Sequence, residues 1–185
     1  MKGSLLTEGI AEPYAQALMS IAQSNNSAEQ LGEEIKALNA LLENSPELRG
    51  FLKNPTLDDQ KKKAVLLQII GEDASPYFIN FLKLLVDKRR IFVLEEITEA
   101  YLALLRDMNQ TVLAEVTSAA ELSDAQKEAV ENRVKEMTDA AQVELKTSVD
   151  PALIGGVIVK VGSQVLDASL KGQLRRIGLQ LSSAT

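Results

Sequence analysis

The chain has 185 residues, with 20 Lys and Arg against 26 Asp and Glu, a net charge of −6 and a pI near 4.9. That acidic balance repels phosphate backbones and anionic lipid headgroups, which bind faces rich in Lys and Arg, and it argues against nucleic acid as a partner. With no Cys and no His, the chain lacks disulfides, zinc-thiolate sites, iron–sulfur clusters, cysteine nucleophiles and the commonest base and metal ligand; no apolar run approaches the roughly 18 residues of a membrane span.

A hydrophobic fraction of 45% with 25% charged residues suits a soluble globular chain of one or two small domains. To about Arg106, apolar residues recur at helical spacing and predict six helices. The first carries Ile10, Tyr14, Ala17 and Ile21. The second carries Leu31, Ile35, Leu38 and Leu42 behind Ser27-Ala-Glu-Gln30, where Ser and Gln side chains suit a reciprocal capping box. Ser45-Pro46 and Ser75-Pro76 each place a capping hydroxyl before a proline at the first helical position. They open a short helix with Leu48, Phe51 and Leu52, and a longer one with Phe78, Leu82 and Leu85. Between these two, Asp58 caps a helix with Val65, Leu66 and Ile69 that stops at Gly71. The sixth runs through Leu94, Ile97, Tyr101 and Leu104.

Near Asn109 the period changes from 3.6 to 2. Val112, Ala114 and Val116 predict a strand, and Ser123-Asp-Ala-Gln126 a second capping box before a helix striped by Val130, Val134, Met137 and Ala141. Val143, Leu145, Thr147 and Val149 form the next strand, stopped by Asp150-Pro151. After Gly155-Gly156, the residues Val157, Val159 and Val161 pair through a turn at Gly162-Ser163 with Val165 and Leu166. Asp167 is the expected cap of a last helix with Leu170, Leu174, Ile177 and Leu181 on one face and Lys171, Arg175 and Arg176 beside it. The fold class is therefore mainly α: a six-helix bundle over residues 1–106, then a small α+β domain over 107–185 with a short sheet and two helices.

Little in this pattern carries chemistry. Gly155-Gly156 precedes a strand with no Gly-Lys-Ser/Thr after it, so it serves as a turn and not as a phosphate loop. The carboxylate pairs Glu33-Glu34, Asp58-Asp59, Glu72-Asp73 and Glu95-Glu96 sit at helix starts or wet faces, where acidic side chains favour the macrodipole. The runs Lys61-Lys62-Lys63 and Lys88-Arg89-Arg90 lie among acidic residues without interleaved aromatics, and are expected on solvated faces. No catalytic residue, metal site or cofactor is expected. What remains is surplus apolar helix surface: the first helix is small and apolar, the fifth adds Phe81 and Leu84 to its stripe, and the last is amphipathic. Such surfaces either pack into the core or dock partner helices.

The segment Val149-Asp-Pro-Ala-Leu-Ile-Gly-Gly-Val-Ile-Val-Lys-Val-Gly162, followed by Val165-Leu-Asp-Ala-Ser-Leu-Lys-Gly-Gln-Leu174, resembles the delta subunit of F-type ATP synthases, whose mitochondrial counterpart is the oligomycin sensitivity-conferring protein. Pro13-Tyr-Ala-Gln-Ala-Leu18 matches the first helix of that family. The resemblance implies a non-catalytic stator subunit that clamps the catalytic head to a membrane-anchored b-type stalk, so that torque drives ATP synthesis. It implies alpha subunits as partners in a groove between the first and fifth helices, at Tyr14, Ala15, Ala17, Leu18, Phe81, Leu84 and Leu85. It implies b-type stalk subunits as partners of the C-terminal domain, where the last helix offers Lys171, Leu174, Arg175, Arg176 and Leu181.

The chain has no Trp, so an aromatic anchor that some members carry in the second helix is missing, and not all members share the Asp150-Pro151 strand end. With no signal-peptide core or transit segment, the expected setting is peripheral, on the ATP-synthesising face of a bacterial plasma or thylakoid membrane. A generic helical adaptor would explain the bundle but not the C-terminal motif, and a small enzyme would need a converging polar pocket.

Overall fold

The structure is a computed structural model that describes residues 5–71, 74–138 and 140–183, with side chains for those of residues 9–176. The chain divides into two compact units, Met1–Leu105 and Arg106–Thr185.

The first unit holds helices α1 (Leu5–Ser24), α2 (Ala28–Asn44), α3 (Pro46–Lys53), α4 (Asp59–Ile70), α5 (Pro76–Asp87) and, after a 3-10 turn at Ile91–Val93, α6 (Leu94–Met108), whose last residues enter the second unit. The stripe of α2 is buried as its spacing requires, with Leu31, Ile35, Leu38 and Leu42 each at most 2% exposed. Against it pack Phe78, Leu82 and Leu85 of α5 and Leu94, Ile97 and Tyr101 of α6, all in one core. Tyr101 is fully buried and its hydroxyl donates to the Ala28 carbonyl at 3.1 Å. The core thus satisfies its largest polar group at the start of α2.

Two caps differ from expectation. Asn26, at φ 52, closes α1 with the Ser27 N–H on Ala22 O at 2.9 Å and the Asn26 N–H on Gln23 O at 3.1 Å. This is a left-handed helix stop, and it recruits Ser27 to the end of α1; the Ser27 hydroxyl turns to Ala22 O and makes no capping bond on α2. Ser75 likewise makes no side-chain cap; its backbone N–H donates to Glu34 Oε1 on α2 at 2.9 Å. Ser45 and Asp58 do cap, accepting from the N–H groups of Leu48 and Gln60.

The second unit orders its strands β2-β1-β3-β4, from β1 (Thr111–Ser118), β2 (Gln142–Val149), β3 (Val157–Val161) and β4 (Gln164–Asp167). β1 and β2 run parallel with Thr111 opposite Gln142, joined through α7 (Asp124–Thr138); β3 is antiparallel to β1 and to β4. Ala114, Val116 and Val159 of the sheet and Val134 of α7 form the core. The capping box at Ser123 is present: its N–H donates to Gln126 Oε1 at 2.9 Å and its hydroxyl accepts the Gln126 N–H at 3.4 Å. The stripe of α7 is shorter than its spacing suggested. The helix ends at Thr138, Met137 is 38% exposed and Ala141 lies beyond the helix, so Val130 and Val134 alone face the sheet core. On the other face, Glu115 stands opposite Lys160 and accepts from its Nζ at 2.8 Å, a bond that holds the Glu115 carboxyl below its ordinary pKa.

Burial pushes the Tyr101 phenol up to about 12, with smaller contributions from the charges of Glu29 and Glu34. The folded state therefore holds this proton more tightly than the unfolded chain does. Its stabilising contribution is complete below the ordinary value of 10.0 and is lost as pH rises toward 12. A spectrophotometric base titration is expected to show one tyrosinate step coinciding with loss of helical circular dichroism. A phenol that ionises with the helices intact would contradict the buried placement.

Candidate functional site

Helices α1 and α5 each present two apolar stripes side by side. On α1, Ala11, Ala15, Leu18 and Ala22 recur at i, i+4, i+7 and i+11 and are buried; Ile10, Tyr14, Ala17 and Ile21 repeat that spacing one residue earlier, with Ile10 and Tyr14 half-buried against the core and Ala17 and Ile21 exposed. On α5, Phe78, Leu82 and Leu85 face the core, and Tyr77, Phe81 and Leu84 form the neighbouring stripe. The outer stripes are tied together. Tyr14 meets Phe81 edge-on with ring centroids 6.4 Å apart, and the Tyr77 hydroxyl donates to Asn25 Oδ1 at 2.9 Å. Since Tyr14 lies by Phe81 and the later Asn25 by the earlier Tyr77, the two helices run antiparallel here.

Arg90 completes the arrangement. Its Nη1 donates to the Tyr14 hydroxyl at 2.7 Å, and its guanidinium carbon lies 5.4 Å from the ring centroid. The phenol is fixed from its edge and from its tip, so its position is set before any partner arrives. Ile21, Leu84 and Tyr77, each 44–45% exposed, remain uncovered with Ala17.

The seven residues expected in this groove separate into two groups. Ala15, Leu18 and Leu85 are at most 2% exposed and belong to the core, and Phe81 at 9% offers only an edge. Tyr14 is half-buried, while Ala17 and Leu84 are exposed. The expected first-helix stripe is in fact the outward one. Because the apolar side of α1 is broad, opposite a polar side of Glu12, Gln16, Ser20 and Gln23, periodicity alone marks two adjoining stripes and does not choose between them. Tyr77, Ile21 and Arg90 join the site. Tyr77 was legible at i−4 from Phe81; Arg90 was hidden in a basic run.

In the second unit, α8 (Leu170–Ser183) is set by the turn before it. The Asp167 carboxylate accepts from the N–H of Ser169 at 2.9 Å and from its hydroxyl at 2.6 Å, and the Ser169 hydroxyl accepts the Gly172 N–H at 3.0 Å. The cap is thus Ser169 and not Asp167, which orients it. Gly155 and Gly156 are needed for close approach: a Cβ on Gly156, at φ 78, would lie 2.3 Å from Ala168 O, and one on Gly155 would lie 2.7 Å from a methyl of Leu170. Leu170 donates its N–H to Gly155 O at 2.9 Å, yet its side chain is 46% exposed. Leu174 at 61% and Ile154 at 67% are more open still. Lys171, Arg175 and Arg176 are exposed beside them; the side chains of Ile177 and Leu181 lie outside the described residues.

The polar candidates behave differently from one another. Among the described residues no group of three or more His, Cys, Asp or Glu is placed to hold a metal ion; Glu72-Asp73 lies outside them. The basic runs are not simply solvated. Lys63 pairs with Asp87, Arg90 with Tyr14, and Lys62 is 5% exposed. No described helix is long and apolar enough to cross a membrane.

The chain is similar over its length to known proteins. The family model described as ATP synthase delta (OSCP) subunit matches residues 10–181. The ATP synthase subunit delta of Gloeothece citriformis (strain PCC 7424) is 60% identical over 181 residues, covering 98% of either chain, and that of Microcystis aeruginosa (strain NIES-843 / IAM M-2473) is 58% identical over 98% of this chain and 100% of its own. Among solved structures, a chain of the Toxoplasma gondii mitochondrial ATP synthase hexamer, determined by cryo-EM, superposes with a TM-score of 0.73 at 26% identity, over 97% of this chain and 98% of that one.

The two hydrogen bonds from Ser169, first the hydroxyl and then the N–H, hold the Asp167 carboxyl below its ordinary pKa. The stabilisation they provide is present above the unfolded value and is lost as pH falls through the folded one. Ser169→Ala is expected to destabilise the start of α8 by about 1 kcal/mol, the usual loss for a helix cap. In a carbon-detected titration the Asp167 midpoint should then return upward toward the free carboxylate value; an unmoved midpoint would separate Asp167 from this cap.

Proposed function

The chain belongs to the ATP synthase delta (OSCP) subunit family, and we propose that it acts there as a non-catalytic stator, clamping the catalytic head to the b-type stalk. The observation that carries this reading is the doubled apolar stripe on α1 and α5, pinned by Tyr14, Phe81 and Arg90. A second stripe at helical spacing accepts a third helix, and the small Ala17 lets that helix approach closely. We assign to it an amphipathic helix of an alpha subunit, contacting Tyr14, Ala17, Ile21, Tyr77, Leu84 and the edge of Phe81.

The second unit holds the C-terminal segment of the stalk along α8. Leu170 and Leu174 supply exposed apolar anchors, and Lys171, Arg175 and Arg176 favour an acidic partner and speed its approach, an effect that salt weakens. Two docking surfaces on separate units suit a clamp that must hold while torque acts on the head. Slow dissociation is the requirement, and nanomolar affinity corresponds to about 12 kcal/mol of binding free energy. Such a protein sits peripherally at the membrane that carries the complex.

Ala17→Trp and Leu84→Asp both alter exposed positions, so the bundle is expected to keep its helical content while affinity for the alpha-subunit helix falls by about 2 to 4 kcal/mol. Leu174→Asp, at the exposed apolar anchor of α8, is expected to weaken stalk binding by a similar amount and leave alpha binding intact. Calorimetry on the three variants checks both. Unchanged alpha affinity in the first two, or a joint loss of both partners in the third, would refute the division of labour.

A further inference from the structure

Ile154 combines two properties that ordinarily exclude each other. Its backbone sits at φ 67 and ψ −40, near the γ-turn conformation that is rare and strained, and most unfavourable for a side chain branched at Cβ. Its side chain is nevertheless 67% exposed, more than any other large hydrophobic side chain among the described residues. An isoleucine left in water gains no burial to offset that strain, and glycine would hold the same backbone without it.

The chain on either side fixes the conformation. Before it, Asp150 Oδ1 accepts the Ala152 N–H at 2.9 Å, Leu153 is buried with its N–H on Asp150 O at 3.2 Å, and Ile154 donates its own N–H to Pro151 O at 3.1 Å. After it, Gly155 O accepts the Leu170 N–H at 2.9 Å, and Gly156 lies so close to Ala168 that a Cβ there would be 2.3 Å from the carbonyl oxygen. Strain persists where the surroundings over-determine it, and it gathers at ligand clamps. Here the group held in place is apolar and open to solvent.

Ile154 is continuous with the apolar edge of α8. A methyl of Leu170 rests at the next residue, Gly155, and Leu170 and Leu174 are themselves exposed. The charges along that edge select what covers it. Lys171, Arg175 and Arg176 are exposed beside the leucines, and the nearby carboxylate, Asp167, already accepts two bonds from Ser169, so positive charge is in excess. A second copy of this chain laid on the same edge would set these cations against each other, whereas an acidic amphipathic segment meets both the apolar row and the charge.

Resting on the assignment of the stalk to α8 made above, we propose that Ile154 is a third apolar anchor for the C-terminal segment of the b-type stalk. The strained backbone lowers the stability of the free chain and presents the side chain already placed for its partner.

The test titrates the full chain with the water-soluble part of the b-type stalk by calorimetry and follows the thermal unfolding of each variant by circular dichroism. Ile154→Gly is expected to weaken stalk binding at least about tenfold, while the thermal midpoint stays level or rises, because the change removes strain and no burial. Ile154→Val, which keeps the branched apolar body, should bind within about fourfold of the unaltered chain, the loss of one methylene. With isoleucine methyl groups labelled in the unaltered protein, the Ile154 resonance should move on adding the stalk, and that of Ile35, buried in the core of the first unit, should not. A lowered midpoint in Ile154→Gly would make the residue a structural one and overturn the proposal. Unchanged affinity in Ile154→Gly, where Leu174→Asp does weaken binding, would also overturn it while leaving the stalk on α8. Binding that neither variant weakens would remove the stalk assignment and this anchor together.

Discussion

A bundle of six short helices has less interior than its apolar residues would fill, and this shortage governs the first unit. Small domains bury a limited share of their surface. The core takes one full stripe from α2 and one each from α1 and α5; of the second stripes, Phe81 is buried and Ile10 and Tyr14 pack half-buried against the core, while Ala17, Ile21, Tyr77 and Leu84 are left at the surface. They are not scattered exposed hydrophobics, which would need no explanation. They lie on adjoining antiparallel helices and are fastened to each other through Tyr14, Phe81, Tyr77 and Asn25. Excess apolar surface organised at one place is the physical form of a docking site.

The fastening also accounts for polar side chains that have no chemistry to perform. Arg90 holds the phenol of Tyr14, Glu34 ties the start of α5 to α2, and Tyr101 anchors α6 to the start of α2. Each joins residues 41 to 76 positions apart in sequence. A rigid platform reduces the entropy lost on binding, because few groups remain to be ordered.

The second unit meets a different constraint, the close approach of the segment before α8 to the start of β3. Gly155 and Gly156 make it sterically possible, and the Asp167 and Ser169 hydrogen bonds set the angle at which α8 departs. With α8 so placed, Leu170 rests over Gly155 while Leu174 turns to solvent. The conspicuous glycine pair is thus structural in its contacts, and it positions the start of α8.

The sequence by itself determined the number and type of elements, the change from helical to strand period near Asn109, the buried stripe of α2 and the family resemblance in the Val149–Leu174 segment. Those features are local, since spacing along one element decides which side chains share a face. Only the tertiary structure decided which stripe of α1 is core, because its broad apolar side carries two adjoining stripes and its neighbours choose between them. It moved Ala15, Leu18 and Leu85 inward and brought in Tyr77 and Arg90. It also diverted Ser27 to the end of α1, gave the N–H of Ser75 to Glu34 and transferred the α8 cap from Asp167 to Ser169. For the caps and charges the reason is common: a polar group takes the partner that the assembled fold brings closest, and proximity between distant segments is not written in the spacing of either one.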